Sequence, residues 1–232
     1  MTSLLIATRN SHKVSEIRSI LGSAFRCSSL NDFPGAPGVV EDAGTFAGNS
    51  LKKAIELAKW ISTKQDLGEV LQKAPTRFFV LADDSGLEVD ALNGAPGVHS
   101  ARFAALDTGQ EGNSSTADNN AKLLRLLKDV PGKARAARFK CVLALTPVLR
   151  ASPSGSSPVC FADEFELQTQ LFEGVCEGSI GFELHGDSGF GYDPLFFPPG
   201  YDRTFGELSE DVKNTLSHRS KALALLRRAL NR

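Results

Sequence analysis

The chain has 232 residues, enough to bury the core of one large α/β domain or of two small lobes. Its 26 lysine and arginine residues nearly balance its 27 aspartate and glutamate residues, so phosphate binding must come from local clusters rather than from overall charge. The four cysteines are scattered without zinc-like spacing, and no apolar stretch is long enough for a signal peptide or a membrane span. We therefore expect a cytoplasmic protein with reduced cysteines and no membrane partner.

The first predicted elements are a buried strand over residues 4–7, a polar turn over residues 8–10 and a helix that ends near Gly22. Ser11 is the expected N-cap, and Lys13 falls in the first turn, where a cation opposes the helix dipole unless an anion binds there. A strand, a turn and a helix start in this order are typical of a phosphate site, because the first backbone N–H groups lack helical partners. A solvated lysine would account for the same residues.

A second helix is predicted from about Leu51 onwards, after a Pro- and Gly-rich loop over residues 31–38 and the acidic pair Glu41 and Asp42. Lys53 then lies near its start, where acidic residues are expected. Departures from local rules concentrate at functional sites, so a second helix start with a cation strengthens the phosphate interpretation.

Residues 79–98 are the stretch on which the functional interpretation depends. An apolar, β-prone start ends at two adjacent carboxylates, Asp83 and Asp84, and Ser85 with Gly86 then favours a turn. A buried strand that presents carboxylates at its end can hold a divalent cation or a general base. An isolated pair of aspartates more often only solvates a turn, so the interpretation depends on partners elsewhere in the chain.

The next elements predicted are a helix over residues 117–128 and strands over residues 136–145 and 161–172, the strands being separated by a surface loop over residues 147–158. Glycines are then frequent and end in the segment GFGYDP, which is neither a dinucleotide fingerprint nor a Walker loop. Small residues around Phe190 and Tyr192 would let a flat ligand approach and stack on a ring. A glycine-bracketed hairpin with core aromatics fits the same pattern.

The terminal helix is the third predicted helix start with cations. Ser217 is its expected N-cap, His218 and Arg219 lie in its first turn, and Lys213 precedes it. A basic solvated face is the alternative. Together with the carboxylates, these features indicate a nucleotide phosphate ligand with a divalent metal, since Mg²⁺ typically takes one or two carboxylates plus substrate phosphates.

Five segments resemble, in order, the motifs of the Ham1/inosine triphosphate pyrophosphatase family, of the bacterial dITP/XTP pyrophosphatase type. They span almost the whole chain and read ATRNSHKVSEI (residues 7–17), EDAGTFAGNSLKKA (41–54), LADDSGLEVDALNGAPGVHSARF (81–103), GFGYDPLF (189–196) and VKNTLSHRSKAL (212–223). The resemblance implies an α/β fold in which helices flank a mixed central β-sheet, as one domain over residues 1–232 with two lobes and the active cleft between them. It also implies a homodimer.

The resemblance further implies Mg²⁺-dependent hydrolysis of the deaminated purine nucleoside triphosphates ITP, dITP and XTP to the monophosphate and pyrophosphate, which removes them from the nucleotide pool. Glu41 and Asp84 would bind the metal, Asp84 would also be the general base, and Ser85 would contact the substrate. The triphosphate would be held by Thr8, Arg9, Asn10, Ser11, His12, Lys13 and Lys53. The base would be held by Phe190, Gly191, Tyr192, Asp193, Lys213, His218 and Arg219.

The chain departs from the family pattern in three places. Arg9 stands where the phosphate loop often has a small residue, and residues 147–158 look like a loop insertion. The stretch over residues 41–46 is one residue shorter than in some relatives, which leaves Glu41 and Asp42 as alternative metal ligands.

Two other functions fit parts of the sequence. One is a pyrophosphatase with a different base preference, and the other is a nucleotide- or nucleic-acid-binding module that uses the basic segment over residues 213–228. The balanced overall charge and the acidic central residues argue against a nucleic-acid partner.

Overall fold

The structure is a computed structural model that describes residues 2–64, 77–149 and 163–231. The chain divides into two compact units, of which the first comprises Met1–Asp84 with Val142–Phe172 and the second comprises Ser85–Cys141 with Glu173–Arg232. No helix among the described residues is long and apolar enough to span a membrane. The cleft predicted between two lobes of a single domain stays a prediction.

The central element is a six-stranded sheet with the order β2-β1-β3-β4-β5-β6. Strand β1 pairs in parallel with both β2 and β3, whereas β5 and β6 are antiparallel, so the predicted mixed sheet is confirmed. The strands are β1 (Thr2–Ile6), β2 (Phe25–Ser29), β3 (Phe78–Val89), β4 (Ala136–Pro147), β5 (Gln170–Ile180) and β6 (Phe196–Phe197). The flanking helices are α1 (Ser11–Leu21), α2 (Phe46–Ser62), α3 (Thr116–Leu126), α4 (Glu164–Gln168), α5 (Glu210–Leu216) and α6 (His218–Leu230).

The core of the first unit lies between helix α2 and the sheet. Ala54, Leu57 and Ile61 recur at helical spacing along α2 and are almost completely buried, and they pack in one cluster with Leu5 of β1 and Val80 of β3. Burial of each such leucine or isoleucine side chain contributes roughly 1.5–3 kcal/mol. This apolar face fixes the rotation of α2 and therefore the direction of its polar residues.

The second unit has its own core, which is rich in aromatic rings. Phe139 of β4 lies 4.6 Å from Phe196 of β6 between ring centroids, and Phe196 lies 5.2 Å from Phe205. Beside them the guanidinium of Arg135 is almost completely buried and donates hydrogen bonds to the carbonyls of Leu127 and Val130, just beyond the end of α3. The Leu127 carbonyl also accepts from the backbone N–H of Val130, so Arg135 adds to the hydrogen bonding at the end of the helix.

Two predicted helix starts are wrong. Asn10, not Ser11, is the N-cap of α1, because its Oδ1 accepts from the backbone N–H groups of His12 and Lys13. Helix α2 begins at Phe46 with Thr45 as its N-cap, five residues before the predicted start. Lys53 is therefore in the third turn of α2, and the expectation that it meets an anion at a helix start is incorrect.

The predicted turn after the two aspartates is also wrong. Strand β3 continues without interruption through Asp83, Asp84, Ser85 and Gly86 to Val89. Residues Phe78–Leu81 of β3 pair with β1, and β4 is its neighbour on the other side in the sheet. Sheet pairing overrides the local preference of a Ser-Gly pair for a turn.

The predicted strand over residues 161–172 is largely a helix in the structure. Asp163 caps α4, which covers Glu164–Gln168, and β5 begins only at Gln170. Strand β5 then runs through Gly174, although glycine is rare in strand interiors. Residues 161 and 162, and residues 150–158 of the predicted insertion, lie outside the described residues.

Gly174 is explained by close packing between β5 and the start of α6. A Cβ atom at this position would overlap the carbonyl oxygen of His218 and the backbone nitrogen of Ala222. The lack of a side chain thus lets the helix that carries His218 and Arg219 approach the sheet.

We expect Gly174→Ala to lower the free energy of unfolding by about 1–3 kcal/mol or more, because the added methyl meets backbone atoms that cannot move aside. Urea denaturation would measure the change. Gly35→Ala is the matched control, because a Cβ there meets nothing within 4 Å. Equal denaturation midpoints for both variants would contradict the packing explanation.

Candidate active site

Asp84 is the best candidate for a reactive carboxylate in the first unit. Its side chain is 9% exposed, and Asn49 of α2 donates a hydrogen bond of 3.0 Å to its Oδ2. Burial raises the pKa of Asp84 to about 6, although Lys53, Lys13 and the Asn49 hydrogen bond oppose that rise. A carboxylate with this pKa is ionised at neutral pH and is still a useful proton acceptor.

Asp83 has a different environment from its neighbour. Its side chain is completely buried and pairs with the ammonium of Lys13, from the first turn of α1. Asp83 therefore fixes the side chain of Lys13 beside β3.

Lys53 contacts Glu41 and both aspartates of β3. Its Nζ donates to the carbonyl oxygen of Asp83 at 2.9 Å, lies 3.1 Å from Oε2 of Glu41 and lies 4.0 Å from Oδ1 of Asp84. Asp42 points elsewhere, since its carboxylate pairs with Lys52 at 2.7 Å and is largely exposed. The structure thus favours Glu41 over Asp42 as the second carboxylate of this cluster.

The loop before α1 is organised by its own side chains. Thr8 Oγ1 accepts from the N–H of Asn10 at 3.1 Å, and Asn10 Oδ1 in turn occupies the N–H groups of His12 and Lys13. Two of the first helical N–H groups are therefore already satisfied, and the positive charge of Lys13 becomes the main attraction for a phosphate here. Ser11 and His12 are exposed on the first turn.

Arg9 extends away from the loop. Its guanidinium donates to the carbonyl oxygen of Ala36 at 2.9 Å and so ties the loop before α1 to the Pro- and Gly-rich segment. Its predicted contact with a triphosphate stays a prediction.

The second unit contains a buried ion pair beside an aromatic ring. Lys213 Nζ lies 2.8 Å from Oδ2 of Asp193, and both side chains are almost completely buried. The same Asp193 oxygen accepts from the backbone N–H of Phe190 at 2.8 Å, which closes the turn over residues 190–193. Gly189 has a φ of +80°, and a Cβ there would overlap the Asp193 carboxylate, so glycine is required.

Two cations lie over the ring of Phe190. Lys213 Nζ is 4.8 Å and Arg219 Cζ is 5.8 Å from the ring centroid, and Arg219 also donates to Ser85 Oγ at 3.0 Å. An aromatic ring with hydrogen-bond donors beside it can stack on a nucleobase and read its edge. His218 stacks against Phe139 with 4.9 Å between ring centroids, at the buried start of α6.

Tyr192 is placed differently from Phe190. Its ring belongs to the hydrophobic core of the second unit, and its hydroxyl donates to the carbonyl of Ser100 at 2.8 Å. Burial raises the pKa of this hydroxyl, so Tyr192 is a neutral anchor for the turn. Phe190 is then the ring of this segment that has cations against it.

Comparison with known proteins identifies the family of this chain. The model of the Ham1 family matches residues 4–229. The chain belongs to the Ham1 family. The resemblance noted from the five segments is thus confirmed over nearly the full length.

Relatives of this Ham1-family chain are similar from end to end. A protein of Desulforamulus reducens named dITP/XTP pyrophosphatase is 45% identical over 99% of this chain and 96% of its own length. The solved structure of the Staphylococcus aureus Ham1 protein has a TM-score of 0.73 at 31% identity and covers 99% of this chain and 98% of that one. A HAM1 protein from Coxiella burnetii has a TM-score of 0.74 at 32% identity, with 100% and 99% covered.

Sequence reasoning did not find Asn49. This side chain is 1% exposed, donates to Asp84 and accepts from the N–H of Ala43 at 2.9 Å, so it joins the catalytic candidate to the segment that carries Glu41. A usable signal was present, because Asn49 and Lys53 are four residues apart and thus share a face of α2. It was missed because the helix was predicted to start after Asn49.

The raised pKa of Asp84 predicts a pH-dependent effect of Asp84→Asn on stability without metal. In the folded protein the carboxyl is stabilising while protonated, and that contribution is lost as the pH rises through about 6. We expect the variant to be more stable than the wild type at about pH 8, by at most about 3 kcal/mol in the free energy of unfolding, and equally stable at about pH 4.

Thermal unfolding in the presence of a chelator measures this effect. Asp42→Asn is the control, because hydrogen bonding and charge from Lys52 lower the pKa of that exposed carboxyl, and its removal should not stabilise the protein at either pH. A stability difference for Asp84→Asn that is the same at both pH values would contradict the assigned burial effect.

Proposed function

We propose that this Ham1-family protein hydrolyses the deaminated purine nucleoside triphosphates ITP, dITP and XTP to the monophosphate and pyrophosphate, with Mg²⁺. The observation that carries the proposal is Asp84, a buried carboxylate with a pKa of about 6 beside the cations Lys53 and Lys13. The dITP/XTP pyrophosphatase name of the full-length relatives supports the same activity.

The proposed triphosphate site uses the cations of the first unit. Cleavage between the α and β phosphates develops negative charge on the leaving pyrophosphate, so fixed cations and positioning supply much of the catalysis. Lys13 is held by Asp83, and Lys53 is held by Glu41 and the Asp83 carbonyl, so neither ammonium needs large reorganisation. Thr8 and Asn10 shape the loop through which the phosphates would approach.

The residues of this cluster fit a magnesium ion. The described residues contain no group of three or more His, Cys, Asp and Glu side chains that could hold a metal. Mg²⁺ nevertheless needs only one or two carboxylates when phosphates provide further ligands, and Glu41 and Asp84 are two carboxylates gathered around one ammonium. The raised pKa of Asp84 means that a nearby cation would stabilise its ionised form. When bound, the metal would neutralise phosphate charge.

Asp84 is the proposed general base. Its Oδ2 is fixed by Asn49, so the carboxylate has a defined orientation from which it can take a proton from the attacking water. Its pKa near 6 keeps it ionised at neutral pH while leaving it more basic than an exposed aspartate.

The proposed base site uses the Phe190 ring with Lys213 and Arg219 beside it. A 6-oxopurine presents an acceptor where adenine presents an amino donor, so a cation directed at this edge would oppose another donor if ATP bound. Ser85 contributes through its hydrogen bond to Arg219. Predicted contacts of Gly191, Asp193 and His218 with the base belong to the same proposal.

The nucleic-acid alternative loses support because two of its basic residues, Lys213 and Arg219, are buried, although Lys221, Arg227 and Arg228 are exposed. Lys213 is paired with Asp193, and Arg219 is 1% exposed, so these residues do not form a solvated basic face. A homodimer and a cytoplasmic location complete the proposal.

We expect pyrophosphate release from ITP, dITP and XTP to exceed release from ATP by at least about a hundredfold in kcat/KM, because ATP would place a donor against buried cations. Steady-state kinetics with Mg²⁺ on a panel of these nucleotides and GTP would measure this ratio. Excess chelator should stop turnover, whereas thermal unfolding should stay cooperative. Equal kcat/KM for ATP and ITP would contradict the proposed base specificity. Full turnover in excess chelator would contradict the proposed requirement for Mg²⁺.

Asp84→Asn should lower kcat by about 10²–10⁴-fold, because the amide retains the shape of the side chain but cannot accept the proton from water. Steady-state kinetics with ITP would measure the loss, and circular dichroism would confirm the fold. The matched variant Asp42→Asn should keep a kcat close to the wild-type value, since Asp42 pairs with Lys52 away from the cluster. A near-normal kcat for Asp84→Asn would exclude Asp84 as the base.

A further inference from the structure

Asn120 of α3 is a buried polar residue that the proposed mechanism does not use. Its side chain is 3% exposed, and its Nδ2 donates to the carbonyl oxygen of Gly191 at 3.1 Å. Its Oδ1 is buried and has no hydrogen-bond partner among the described residues. Gly191 directly follows Phe190 in the turn that carries the proposed base-stacking ring.

An unpartnered buried acceptor is unfavourable for folding. Such a group loses its hydrogen bonds to water and gains nothing in exchange, whereas an apolar side chain of similar volume would bury no polar atom. The next residue inward along α3, Leu123, is apolar and completely buried, so a leucine at position 120 would extend an existing apolar face. Stability alone therefore does not explain an asparagine here.

The hydrogen bond to Gly191 is the useful property of this side chain. Gly191 has a φ of +63°, which residues with a Cβ atom rarely adopt. Because glycine lacks a Cβ atom, its peptide can also adopt other orientations. On either side of it, Phe190 is held by Asp193, and Tyr192 is held by the Ser100 carbonyl. Asn120 supplies the contact that holds the carbonyl of the glycine between them.

We propose that Asn120 is a positioning residue for the base site: it fixes the Gly191 carbonyl and thereby the Phe190 ring against which the purine stacks. This inference rests on the proposed function for the identity of the ligand. It assigns Asn120 an effect on substrate binding and none on the proton transfer at Asp84.

The test is Asn120→Leu, measured in three ways. We expect an unfolding temperature close to that of the wild type, because removal of the unpartnered amide oxygen offsets the loss of the hydrogen bond to the Gly191 carbonyl. We expect KM for ITP to rise about tenfold with kcat little changed, which is the effect of losing one hydrogen bond that orders the binding segment. Amide hydrogen exchange of peptides over residues 189–193 should become faster in the free protein.

Asn119 provides a matched control on the same helix. It is also buried, but its Oδ1 accepts from Ala104 N at 2.8 Å and its Nδ2 donates to the Ala101 carbonyl at 3.2 Å, so both of its groups hold backbone outside the base segment. Asn119→Leu should lower the unfolding temperature and leave KM and the exchange of residues 189–193 unchanged. This pattern is the reverse of the one expected for Asn120→Leu.

An unchanged KM together with unchanged exchange in Asn120→Leu would overturn the inference, whatever the stability. If that variant does not fold, Asn120→Asp replaces it, because its carboxylate keeps the shape but cannot donate to Gly191, and the same rise in exchange is expected. Failure of the wild type to release pyrophosphate from ITP would refute the proposed function. The exchange measurement needs no substrate and would still decide the role of Asn120.

Discussion

The burial of Asp84 beside Lys53 is the interaction on which the candidate site depends. A carboxylate that is almost excluded from water is unfavourable when ionised. Three groups offset only part of that penalty: the ammonium of Lys53 at 4.0 Å, the ammonium of Lys13, which pairs with the neighbouring Asp83, and the hydrogen bond from the amide of Asn49. The residual imbalance is the raised pKa. Removing any one of these groups changes how basic Asp84 is, so the cluster acts as a unit.

Three separate elements must be placed correctly for this cluster to exist. Strand β3 supplies the aspartates, α1 supplies Lys13, and α2 supplies Asn49 and Lys53 from positions four residues apart. The apolar face of α2 sets which way those two side chains point, and the parallel pairing of β1 with β3 brings the start of α1 near Asp83. The hydrophobic core of the first unit is thus what sets the geometry of its polar site.

Much of the candidate site could be predicted from the sequence, because Lys13, Asp84, Phe190 and Lys213 lie in segments with a family pattern. The local structure expected around some of these residues is wrong. Lys53 does contact the carboxylates, but it does so from the third turn of α2 rather than from a helix start. Likewise β3 continues through the aspartates because its partners in the sheet, which lie far away in sequence, outweigh the local turn preference.

The roles of Asn49 and Asn120 depend on partners that lie 35 and 71 residues away in the sequence, and long-range contacts of this kind are not visible in a local pattern. The choice of a neutral amide is physically informative. A lysine in place of Asn49 would add a positive charge next to Asp84 and make the carboxylate a weaker base, whereas an amide orients it with one hydrogen bond and no charge. At Gly191 the amide of Asn120 likewise holds a carbonyl without adding a cation to the proposed base site. In the proposed mechanism, lysine and arginine thus stand where charge would meet the substrate, and asparagine stands where a group needs only to be oriented.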